Sequence, residues 1–263
     1  VGALVALGLL LGLVSASLPE MAKANAVEGL KSGQADQVLA AADSLASSAS
    51  DDAEALYLRG IYAARSPQER LALLKQSVDR APTTKALRAL ANVQAHESDL
   101  EEAESSFDRA LQLDPFNLRT LASKMKAENE AGKVDLAMAT ARRLVETESS
   151  DAFKYRAIPE SVPTETYDAR VFLAGRESDP AKKVALLKPA VEGYLKFNAI
   201  TYPRVKLLAK EGANFIDMDT AEAQQVVKRG RDAAEELKTA SQSVGDAAAL
   251  ETSTRALSEL LVE

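Results

Sequence analysis

Residues 84–117 read TKALRALANVQAHESDLEEAESSFDRALQLDPFN, and their spacing decides the fold class. Leu87, Leu90 and Ala91 lie three and four apart, and Ala103, Phe107 and Ala110 do the same further on. Residues at those separations share one face of an α-helix. The acidic stretch around Glu97 and Asp99 interrupts the apolar pattern between the two sets. Pro115 ends the second one, because a proline has no N–H with which to continue a helix. The stretch therefore predicts two antiparallel helices. Small residues let them approach closely, and Leu87 and Phe107 fill the gaps to whatever stacks on either side.

The pattern recurs. A shift of 34 residues gives 118–151, where Leu121, Gly132, Val134, Ala137 and Ala141 take matching positions, although Lys124 and Met125 replace Leu90 and Ala91. Backward, 53–83 carries Leu56, Gly60, Leu74, Val78 and Pro82, with a turn at Ser66-Pro67 about two residues shorter. Residues 20–52 give a weaker copy, with Gly33 in the turn and Ala35, Val38 and Ala42 on the second helix.

This arrangement resembles the tetratricopeptide repeat family, whose pattern is W-x2-L-G-x2-Y, then A-x3-F, then P. In 84–117, Leu87 stands at the Trp position and Leu90-Ala91 at Leu-Gly, while Ala103-x3-Phe107 and Pro115 match directly. Gln94 departs from the Tyr position. The resemblance covers about 20–151 and implies an α-solenoid of helical hairpins whose first helices line a concave face. On those helices Lys85, Arg88 and Asn92, and then Arg119, Lys126 and Asn129, are candidates for a peptide-binding groove. In peptide-binding members of the family Lys, Arg and Asn hold a ligand in this way. The occupant here would be an acidic peptide or a C-terminal carboxylate held by charge-assisted hydrogen bonds. The alternative is a set of solvated charges on an ordinary helix face. The groove reading predicts that Lys85→Glu with Arg88→Glu weakens partner binding without unfolding the stack.

Residues 1–18, VGALVALGLLLGLVSASL, contain no charge, seven Leu and three Val. As a helix they would span about 27 Å, close to the roughly 30 Å hydrocarbon core of a bilayer. The leucines and valines favour insertion by roughly 3–6 kcal/mol in sum. A transmembrane anchor is expected; a secretory signal cleaved near Val14-Ser15-Ala16 is the competing reading. Gly8, Gly12 and Ala16, spaced by four, form a small-residue stripe against which a partner transmembrane helix would pack.

Beyond the repeats, 152–163 reads as a linker with two prolines, and 164–263 as a divergent helical extension ending in a C-terminal cap. Helices are predicted at 164–176, at 180–198 starting from Asp179-Pro180 and kinked at Pro189, and at about 203–213, 219–242 and 246–262. Pro203, Gly212, the Asp217–Asp219 cluster and Gly245 punctuate them. Most aromatics lie here, including Tyr167, Phe172, Tyr194, Phe197 and Tyr202. They either fill an irregular core or form a partner-binding patch.

The composition narrows function. The chain has 263 residues, 46% of them hydrophobic and 5% aromatic, so an all-α core built on Ala and Leu is expected. Without Cys and with His96 as its single histidine, it has no disulfide framework, thiol chemistry or multi-histidine metal site. His96 reads as a helix-end surface residue. No phosphate-binding, dinucleotide-binding or nucleophile-elbow motif occurs, so neither enzyme chemistry nor a cofactor is expected. A net charge of −7 argues against a nucleic-acid partner, which calls for a basic surface. The expectation is a non-catalytic, membrane-tethered scaffold or accessory subunit of a bacterial membrane or envelope complex. Its soluble part would be periplasmic, and other envelope proteins would be its partners. The alternative is a transient, chaperone-like adaptor that holds acidic peptides in the concave groove.

Overall fold

The computed structural model describes residues 52–97, 99–150, 164–210 and 220–261, together with positions 40 and 44. The expected anchor with Gly8, Gly12 and Ala16, nearly all of the 20–52 copy, and the 152–163 linker lie outside the described residues. Within them the chain is all-α. Ten helices are present and no strand: α1 Ala53–Tyr62, α2 Pro67–Arg80, α3 Thr84–His96, α4 Leu100–Leu113, α5 Leu118–Glu130, α6 Val134–Ser149, α7 Thr164–Ala174, α8 Pro180–Lys210, α9 Thr220–Val244 and α10 Ala247–Glu259. No helix among the described residues is long and apolar enough to cross a membrane.

Local chemistry sets the helix ends. Asp52, Ser66, Thr83, Asn117 and Asp246 each cap a first turn, accepting a hydrogen bond from the backbone N–H three residues on. Gly132 and Gly245 close α5 and α9 at φ 75° and 71°, a region that suits glycine. At each, the next residue's N–H reaches back to a carbonyl of the last turn, Lys133 to Glu128 at 2.8 Å and Asp246 to Ser241 at 3.0 Å. Helix starts keep the expected period: Thr84 and Leu118 are 34 residues apart, and so are Leu100 and Val134. The second helix of the α1–α2 hairpin begins two residues sooner, at Pro67, as the short Ser66-Pro67 turn implied.

The chain divides into two compact units, with the boundary between Leu113 and Asp114. In the first, α1 packs on α2, α2 on α3 and α3 on α4. Leu74, Val78, Leu87, Leu90 and Ala110 form its buried cluster, with Tyr57 and Ile61 packed against it. Ala91, Ala103 and Phe107 are fully buried, so small and large residues play the parts their spacing assigned.

In the second unit each helix from α5 to α10 packs on the next, and α7 also touches α5. Tyr167 and Tyr194 meet edge to face at 5.6 Å. Tyr167, Tyr194, Phe197 and Tyr202 are buried, so these four aromatics fill the core rather than forming a patch. Their bulk is accommodated by glycine. A Cβ at Gly193 would overlap the Tyr167 ring, and one at Gly230 would come within 2.6 Å of Tyr194 Cβ.

One boundary differs from expectation. The separate helices at 180–198 and 203–213 are a single helix, α8, which runs through both Pro189 and Pro203. Each proline deprives the carbonyl four residues earlier of its partner. Those carbonyls belong to Ala185 and Ala199, both exposed residues, and the helix continues past them.

Candidate functional site

The six groove candidates fall three to a unit. Lys85, Arg88 and Asn92 lie on α3 in the first, and Arg119, Lys126 and Asn129 lie on α5 in the second. Lys85 places its Nζ 2.6 Å from Glu54 Oε1 of α1 and 5.0 Å from the centre of the Tyr57 ring. Arg88 is half-buried and Asn92 exposed. Arg119 Nε is 3.9 Å from Glu165 Oε1 of α7. Lys126 pairs along its own helix with Glu130 at 3.8 Å. Asn129 accepts a hydrogen bond from Arg176 at 3.0 Å, and that guanidinium also lies 3.7 Å over the Phe172 ring. Two of these cations, Lys85 and Arg119, thus already face carboxylates of other helices.

These partners were not foreseen, yet a signal for them existed. Glu54, Lys85, Arg119 and Glu165 are each the second residue of a helix, α1, α3, α5 and α7. Equivalent positions on α1 and α3, and on α5 and α7, carry opposite charge, and long side chains bridge them.

A second recurring feature lies inside the hairpins. Gln94 is only 5% exposed. Its carbonyl accepts from Ser106 Oγ at 2.7 Å, and its amide donates to Glu102 at 2.8 Å. Lys75 of α2 reaches the same Glu102 oxygen at 3.2 Å, so one polar chain ties α2, α3 and α4 together. The Lys75 hydrogen bond, followed by that of Gln94, lowers the Glu102 carboxyl below its ordinary 4.5. One period later Glu128, 2% exposed, accepts from Thr140 Oγ1 at 2.7 Å, with Lys124 Nζ 4.0 Å away. Gln94 and Glu128 occupy one slot of the repeat and Ser106 and Thr140 another. What reads in sequence as a lost Tyr is a buried polar lock.

Other titratable groups make contacts between helices. Tyr194 donates to Asp168, which Arg229 Nε also holds at 2.9 Å. Burial first, then the Asp168 charge, pushes the Tyr194 phenol far above its usual range; burial and then Glu148 push Tyr167 up to about 12. Glu148 accepts from Thr166 at 3.0 Å and pairs with Arg170 at 3.1 Å, joining α6 to α7. His96 is exposed at the end of α3. Among the described residues no group of His, Cys, Asp or Glu is arranged to hold a metal ion.

Open concavities lie at several places among the described residues. One of about 250 Å³ lies over the Gln94–Glu102 lock. One of about 500 Å³ lies between the turn after α7 and the Glu235–Ser243 stretch of α9. A third, of about 520 Å³, lies between the second half of α8 and the chain end after α10. No protein-family model matches the chain, and no curated protein matches it significantly.

Proposed function

We propose that the chain is a non-catalytic interaction scaffold of the tetratricopeptide type, tethered to a membrane by residues 1–18 and serving as an accessory subunit of a bacterial envelope complex. The observation that carries this reading is the 34-residue register of α3–α4 and α5–α6, with Leu87, Ala91, Ala103 and Phe107 buried in the slots the repeat requires. Hairpins stacked on nearest neighbours expose long lateral surfaces relative to their volume, which suits binding of proteins rather than turnover of small molecules. The acidic balance of −7 is in keeping with a protein partner rather than a nucleic acid. The tether rests on the uncharged 1–18 stretch, and a periplasmic location on the absence of Cys and the abundance of Ala.

A constitutive subunit is favoured over a transient acidic-peptide adaptor. Lys85 and Arg119 already face Glu54 and Glu165, so an acidic peptide at those positions must displace an internal carboxylate. Purification of the full chain in mild detergent, with mass spectrometry of co-eluting proteins, tests the reading. Stoichiometric partners that survive washing are expected. A chain that elutes alone, or with partners lost on the first wash, overturns the subunit assignment.

A further inference from the structure

We draw no further inference here: the strongest candidate, the groove of about 520 Å³ between the second half of α8 and the chain end after α10, leaves Leu207 and Leu261 exposed at its edges, but Lys206 and Glu259 offset each other along it and nothing in the structure shows what covers it.

Discussion

Lys85 Nζ lies 2.6 Å from Glu54 Oε1, so the second residue of α3 and the second residue of α1, 31 positions apart, close an ion pair between two helices of the first unit. The pair is partly exposed, and its net worth is accordingly about 0.2–1 kcal/mol. Lys85→Glu sets two carboxylates against each other and should lower the melting temperature by roughly 2–6 °C. Exchanging both charges, Glu54→Lys with Lys85→Glu, should restore most of the loss. Thermal melts followed by circular dichroism decide it. A double variant as unstable as the single one would show that Lys85 does not act through Glu54, and would return it to the list of ligand-facing cations.

The repeat period and the glycines at 132 and 245 were readable in the sequence, because they depend on local spacing. Lys85 was read as a groove cation because its partner, Glu54, stands in another hairpin, and only the comparison of second positions across helices reveals the opposite charges. Pro203 was read as a boundary by a local rule. In α8 the helix continues past Pro203: Ala199, whose carbonyl loses its partner, is an exposed residue, and α9 packs alongside. Gln94 looked like decay of the pattern. Its partner Ser106 is twelve residues on, the same distance that separates Glu128 from Thr140. The groove beside Leu207 had no sequence signal, since it depends on which faces of α8 the other helices leave uncovered.

The two buried locks should differ in cost. Ser106→Ala leaves the Gln94 carbonyl without its partner, a loss of about 1–3 kcal/mol. Thr140→Val is nearly isosteric, yet it removes the hydrogen bond from a carboxylate that is almost wholly buried, and such a group costs more than a neutral one. Urea unfolding should therefore place Thr140→Val below Ser106→Ala. If Thr140→Val with Glu128→Gln is more stable than Thr140→Val alone, the penalty belongs to the buried charge. Equal midpoints for all three variants would show that the slot tolerates any polar arrangement.

Gly230 is a packing residue rather than a flexible one. A methyl group there would come within 2.8 Å of Tyr194 Cγ and within 2.6 Å of its Cβ, which the α8 backbone fixes and no rotamer change can move. Gly60→Ala meets Leu74 Cγ and Cδ2 at 3.1 and 3.2 Å, the movable end of a side chain, and Leu73 Cβ at an ordinary 3.4 Å. Gly230→Ala should accordingly cost about 1–3 kcal/mol or more, and Gly60→Ala less. Helix propensity alone predicts the reverse sign for both, a gain near 1 kcal/mol from replacing a mid-helix glycine. Chemical denaturation of the two variants separates the alternatives: two stabilised proteins would mean that α8 and α9 do not approach as closely as the Tyr194–Gly230 contact requires.

Alkaline pH should act on the second unit through its tyrosines. Tyr167 and Tyr194 have phenols raised above their ordinary 10.0, Tyr167 to about 12, in both cases chiefly by burial. A raised folded-state pKa means that the neutral form is favoured in the native protein. The resulting stability is fully present below pH 10 and is lost as the pH climbs through the folded value, because the unfolded chain releases those protons first. Denaturation midpoints should hold up to about pH 10 and then fall, with ionisation of the two phenols coupled to unfolding. Tyr194→Phe gives up the hydrogen bond to Asp168, worth about 1 kcal/mol at neutral pH. It should nevertheless show a shallower alkaline decline, since one of the two phenols is gone while Arg229 still pairs with Asp168. Parallel alkaline curves for the wild type and this variant would mean that the Tyr194 phenol ionises without regard to the fold, and that its burial between α8 and α9 does not persist in solution.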